Sequence, residues 1–173
     1  MHLLTEAFHF ANEAHKGQFR KYDNTPYIRH PLAVMGIMTL VTDDTAILAA
    51  AMLHDTVEDC KDVTIDVIHE RFGEIVAGYV FYCTEKSQRT DGTRAVRKEI
   101  DRRHYSSGSS ASQNIKIADM LDNIPGIVVH DAKFGKTYMY EKMQLLGVLQ
   151  KADIRLQQLI TRLIADLFSK MHH

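Results

Sequence analysis

Apolar positions along this chain recur every three or four residues and nowhere alternate with period two. Leu3, Ala7, Phe10, Ala11 and Ala14 predict a first amphipathic helix over residues 3–16, with Gly17 as its stop. Pro31 suits the first turn of a second helix, over residues 31–41, and would leave His30 at its N-cap. Asp43 or Asp44 can cap a third, over residues 45–58, whose first half is the apolar run 46–53. Thr64 opens a helix over 65–72 that Gly73 ends, and 74–83 forms another with Ile75, Val76, Tyr79 and Val80 inward. Helical spacing resumes at residue 111 through Ile115, Ile117, Ala118, Leu121 and Ile124, until Pro125 and Gly126 are expected to break it. Residues 136–150 and 153–170 complete the set. The pattern predicts an all-α protein, a single compact bundle of about eight to ten helices spanning residues 1–173 as one domain.

Composition narrows the function classes. A chain of 173 residues that is 45% hydrophobic and 25% charged can bury a core without disulfides, and it is not disordered. A formal net charge of −1 argues against general affinity for nucleic acid or an anionic membrane, so any phosphate recognition must be local. The N-terminus lacks a signal-peptide pattern, and the stretches 31–41 and 46–53 are too short to span a bilayer, which makes the cytoplasm the expected location. Cys60 and Cys83 have no zinc-type spacing and are expected to be reduced thiols. His172 and His173 read equally as native residues or a purification-tag remnant.

Chemistry concentrates at His54, Asp55, Thr56, Val57, Glu58 and Asp59, where one imidazole and three carboxylates follow an apolar run. On a helix Glu58 lies four residues after His54 and three after Asp55, so the three share a side, with Asp59 four after Asp55. Solvated acids at a helix end are the bland alternative, which the macrodipole opposes. His30 is held at a helix mouth. Asp119 sits beside Ala118 in an apolar helix with Asn123 one turn later, and an acid so placed is either paired or bound to a cation. Two imidazoles and two carboxylates leave open positions on an octahedral ion such as Mn²⁺ or Fe²⁺, whereas structural zinc would close a tetrahedral site. His9 and His15, without visible partners, are assigned to the surface or the core. Lys86, Arg89, Arg94, Arg97, Lys98, Arg102 and Arg103 face three acids, Asp91, Glu99 and Asp101; they read as a solvated helix face or as a wall for an anionic ligand. The serine-rich residues 106–112 read as a loop that could serve as a lid.

The ordered motifs Pro26-Tyr27-Ile28-Arg29-His30-Pro31, His54-Asp55-Thr56-Val57-Glu58-Asp59 and Lys116-Ile117-Ala118-Asp119-Met120-Leu121-Asp122-Asn123 resemble the HD-domain hydrolase half of the RelA/SpoT homologues. These enzymes remove the 3′-pyrophosphate of the alarmone ppGpp, and the length here is similar to the stand-alone small alarmone hydrolases. The resemblance covers residues from about 5 to 125. It implies one divalent ion, Mn²⁺ with Fe²⁺ or Zn²⁺ as alternatives, on His30, His54, Asp55 and Asp119. It further implies that Glu58 and Asp59 handle the attacking water, that Arg20 and Lys21 line the nucleotide pocket, and that Asn123 lies near ribose and base. The implied partner is a small nucleotide, not nucleic acid or a membrane; a homo-oligomer stays open. Two departures bear on selectivity: the loop 20–26 is a residue longer, and Pro125-Gly126 replaces an Arg and a Thr. The expected reaction is hydrolysis of ppGpp or pppGpp to GDP or GTP and pyrophosphate. The alternatives are a metal-dependent phosphatase of another nucleotide such as NADPH, and a non-catalytic nucleotide-binding HD domain. A structural helical module would have no use for Asp119 and Glu58.

Overall fold

The structure, a computed structural model, describes residues 3–171, so His172 and His173 lie outside the described residues. Nine α-helices and no strand occur among those residues: α1 (Leu3–Ala14), α2 (Arg29–Met38), α3 (Thr45–Leu53), α4 (Thr56–Asp59), α5 (Ile65–Phe81), α6 (Arg94–Ser107), α7 (Ser110–His130), α8 (Ala132–Leu146) and α9 (Ile154–Lys170). The all-α expectation and its helix count hold. No helix among the described residues is long and apolar enough to cross a membrane.

Two helices form the interior. In α3 every residue from Leu48 to Leu53 is buried, which an amphipathic helix could not tolerate, because α3 is packed by α1, α2 and α5. The second is α7, covered by α2, α8 and α9, with Ile115, Ile117, Met120 and Ile124 fully enclosed. Its buried polar residues are spoken for: Gln113 donates to Ser106 O and accepts from Lys151 N, and Asn114 accepts from Asp153 N, which ties the α8–α9 connection to α7. Cys60 and Cys83 are free and buried, as expected of thiols.

Several boundaries depart from the sequence expectation. The helix expected over 45–58 is two helices, because side chains take the last carbonyls of α3: His54 Nδ1 donates to Ala51 O at 2.8 Å and Thr56 Oγ1 to Leu53 O at 2.7 Å. Asp44 is its N-cap, accepting from Ala46 and Ile47 N–H. His30 is not an N-cap but lies inside the first turn of α2, behind Ile28. Pro125 does not break α7; burial of Ile124 and Val128 on either side outweighs the roughly 3 kcal/mol that an interior proline costs. Gly73 does interrupt the helical backbone, at φ 85° and ψ 168° within α5. Beyond it Val76 and Val80 turn inward as expected, but Ile75 is 64% exposed. The serine-rich stretch is no lid: Ser106 and Ser107 end α6, Ser109 caps α7 by accepting from Ser112 N, and Ser112 is buried. Asp131 caps α8 and starts it at Ala132, four residues earlier than the spacing suggested.

Candidate metal centre and substrate cleft

The start of α2, the α3–α4 junction and the middle of α7 meet at one point, and each brings an expected ligand there. His30, His54 and Asp55 offer ligand atoms that all lie within 4.8 Å of one another. His30 Nε2 is 3.2 Å from Asp55 Oδ2 and 3.4 Å from Asp119 Oδ1, while His54 Nε2 is 3.1 Å from Asp55 Oδ1. Asp119 therefore joins the group through His30.

The tautomers test whether a cation fits. The Nδ1 of His54 faces a carbonyl, Ala51 O, which can only accept, so Nδ1 carries the proton. His30 Nδ1 likewise faces the carboxylate Oδ2 of Asp122 at 2.7 Å. In the neutral rings each Nε2 is then a bare lone pair, and both Nε2 atoms are buried without a hydrogen bond. Two lone pairs held 3.1 to 3.4 Å from carboxylate oxygens repel unless a positive charge lies between them. A proton answers at His30: burial works against charging it, but Asp119, Asp122 and Asp55 prevail and push it up to about 11. A divalent ion between His30, His54 and Asp55, with Asp119 beside His30, would answer these lone pairs and compete for that proton. The donor set fits a divalent metal.

The surroundings are built to keep Asp55 and Asp119 ionised. Burial pushes Asp119 upward, yet Lys116 and His30 hold it well below the usual carboxylate range. Lys116 Nζ sits 3.3 Å from Asp119 Oδ2 and donates to Cys83 O at 3.1 Å, and Asn123 Nδ2 donates to Asp119 Oδ1 at 2.6 Å. Asp55 is also depressed: burial opposes its charge, and the two histidines outweigh burial. Glu58 and Asp59 stand at the rim, and both are exposed to solvent. Burial raises Glu58 to about 7 against the pull of Lys116, and its Oε1 accepts from Glu85 N. Asp59 is raised by burial and by Asp55.

Three residues without an assigned role prove central. Tyr27 OH lies 2.7 Å from Asp55 Oδ2 and 2.8 Å from Asp59 Oδ2, so a single phenolic proton ties a metal-ligand candidate to a water-handling candidate. Its ring rests on buried His15, whose Nδ1 contacts Gln18 Oε1 and Cys60 Sγ; His9 is exposed. Asp122 accepts from both His30 and Arg20, joining the centre to the cleft, and Lys116 is a buried cation beside Asp119. Asp122 lies three residues after Asp119, the spacing that shares a helix face, which was the available signal. Tyr27→Phe is expected to keep metal but lower kcat on the order of tenfold, by releasing Asp59 from its tether; unchanged kcat with full metal would reject that role.

Arg20, Lys21 and Asn123 all line one cleft of about 220 Å³, and His30 stands in its wall. Arg20 is braced by Asp122 and by Asn123 Oδ1 at 3.2 Å, and Lys21 Nζ lies 5.0 Å from the centre of the Tyr22 ring. The basic run contributes elsewhere. Arg94 pairs with Glu141 and Arg97 donates to Gly92 O, while Lys98 and Arg102 line a separate small cavity with Lys116.

A family model described as the HD domain matches residues 7–171. The guanosine-3′,5′-bis(diphosphate) 3′-pyrophosphohydrolase MESH1 of Xenopus tropicalis is 39% identical over 125 residues, which cover 70% of this chain and 68% of that protein. Its Homo sapiens counterpart is 36% identical over 124 residues, covering 70% and 67%. A longer protein of Aquifex aeolicus, a guanosine-3′,5′-bis(diphosphate) 3′-pyrophosphohydrolase, is 33% identical over 149 residues, 84% of this chain but 21% of that one. A solved structure described as a metazoan ortholog of SpoT that hydrolyses ppGpp superimposes with a TM-score of 0.84 at 25% identity, covering 99% of this chain and 96% of its own. This chain belongs to the HD-domain family, among the relatives of MESH1 and SpoT.

Proposed function

We propose that this protein hydrolyses the 3′-pyrophosphate of ppGpp or pppGpp, giving GDP or GTP and pyrophosphate, with one Mn²⁺ held by His30, His54, Asp55 and Asp119. The observation that carries the reading is the convergence of two buried imidazole lone pairs and Asp55 in a centre reached from a cleft lined by Arg20, Lys21 and Asn123. The printed activities of the MESH1 relatives support the substrate. Two nitrogen and two carboxylate donors favour Mn²⁺ or Fe²⁺ over a structural zinc. When bound, such an ion supplies Lewis-acid polarisation of a phosphoryl oxygen and of water.

The rest falls to side chains of the chain. Glu58 takes the proton of the attacking water, while Asp59, tethered through Tyr27, aligns that water with the phosphorus next to the ribose 3′-oxygen. The bond between that phosphorus and the 3′-oxygen breaks, pyrophosphate leaves and the ribose oxygen takes up a proton. Lys21 and the braced Arg20 offset the charge of the polyphosphate. One domain over residues 1–173 suffices for this set, and the buried thiols of Cys60 and Cys83 suit a reducing cytoplasm.

The test is a nucleotide panel incubated with Mn²⁺-loaded protein, with products separated by chromatography. GDP and pyrophosphate from ppGpp are the expected products. A second reading, removal of the 2′-phosphate of NADPH, draws on Gly126, which lines the cleft and has open space where a side chain would stand. Rapid turnover of NADPH with ppGpp untouched would replace the first reading by the second.

A further inference from the structure

Tyr22 and His130 lie far apart in sequence, yet their rings are parallel to within 7° with centroids 5.6 Å apart. Both line the cleft that contains Arg20, Lys21, Asn123 and His30. Among the described residues, neither the Tyr22 hydroxyl nor the His130 ring nitrogens engage in a hydrogen bond, so the pair is not accounted for as a polar brace of the fold. No part of the reaction outlined above uses either ring.

We infer that Tyr22 and His130 form the stacking surface for the nucleobase and are specificity-determining residues of this enzyme. This rests on the nucleotide reading of the cleft and deepens it. His130 follows Asp119 by eleven residues on α7, a helix rise of roughly 16 Å, and side chains of a helix lean back toward its N-terminus. Pyrophosphate, ribose and purine laid end to end bridge that interval, with the pyrophosphate at the Asp119 end, Asn123 one turn along and the flat ring at the aromatic pair. Charge is distributed the same way. The centre and the braced Arg20 hold the phosphate end, and the distant end carries two π faces and a bare stretch of wall at Gly126, where a built Cβ meets nothing within 4 Å. Lys21 Nζ lies 5.0 Å from the centre of the Tyr22 ring, which sets a cation beside the stacking surface. Stacking tolerates any base with a large π face, so the pair selects a purine nucleotide over an unattached polyphosphate.

Product inhibition separates this role from a structural one, because GDP carries the base and pyrophosphate does not. In Mn²⁺-loaded Tyr22→Ala and His130→Ala, KM for ppGpp and the inhibition constant of GDP are expected to rise on the order of tenfold, with kcat and the inhibition constant of pyrophosphate unchanged. Tyr22→Phe, which keeps the ring and drops the hydroxyl, should restore both constants to within about twofold of the parent. An unchanged GDP constant in both alanine variants overturns the inference, and so does a parallel rise for pyrophosphate, which would mean that the ring merely supports the loop. Failure of the parent to cleave ppGpp would instead count against the substrate reading; GDP binding measured by calorimetry on the same variants then decides the stacking role.

Discussion

Asp55→Ala is expected to strip the divalent ion from the protein and to lower turnover on the order of 10³-fold or more, with the helices intact. The size follows from the several kcal/mol that a Lewis-acid ion supplies to phosphoryl transfer, at about 1.4 kcal/mol per tenfold. Asp55 is the hub of the centre: its Oδ2 lies 3.2 Å from His30 Nε2, its Oδ1 lies 3.1 Å from His54 Nε2, and no other carboxylate among the described residues approaches both rings. Without it two imidazoles and Asp119 remain, and His30 is left with the carboxylates of Asp119 and Asp122, which favour a proton on its ring over a metal. The fold does not depend on this side chain. Asp55 makes no capping bond at α4, and the α3–α4 break is held by His54 and Thr56 on the α3 carbonyls. Metal analysis after desalting, beside circular dichroism, checks both halves. Full occupancy in a folded variant would remove Asp55 from the ligand set.

How much of this was legible in sequence differs by the range of the interaction involved. The helices were readable because each is specified by spacing within a dozen residues, and His54, Asp55 and Glu58 were readable because one turn packs them together. His30 and Asp119 could be matched to them through motifs, since no local rule states that the start of α2 and the middle of α7 meet. What escaped was the set of bonds between distant elements. The Tyr27 hydroxyl spans 28 residues to Asp55, His30 reaches 92 residues to Asp122, and Arg20 reaches 102 to the same carboxylate. Each of these residues has an ordinary local reading, as an aromatic in a loop or an acid on a helix. Pro125 failed for the opposite reason: its local rule is strong, but the buried side chains around it decided the outcome. The stack of Tyr22 on His130 likewise joins a loop and a helix end that share no pattern.

Glu58→Gln separates the handling of water from the holding of metal. The amide keeps the shape of the side chain and an oxygen to accept from Glu85 N, but it cannot take a proton. Loss of a general base costs typically 10²- to 10⁴-fold, so kcat is expected to fall within that range while metal content and KM stay close to those of the parent. The pH profile supplies an independent reading of the same group. The proposed role of Glu58 as base requires its ionised form; burial lifts the group to about 7, and Lys116 draws it down. A divalent cation nearby favours the charged form as Lys116 does. In the Mn²⁺-loaded parent, kcat/KM should therefore fall as pH drops through an inflection at or below about 7. Above the inflection, where the carboxylate is ionised, it should level off. In Glu58→Gln that acid limb should vanish from the residual rate, because no proton leaves the amide. If the variant instead loses its metal and recovers full activity when Mn²⁺ is raised, Glu58 belongs among the ligands and the proton must pass to Asp59. Retention of both the limb and the rate with metal bound would take Glu58 out of the chemistry altogether.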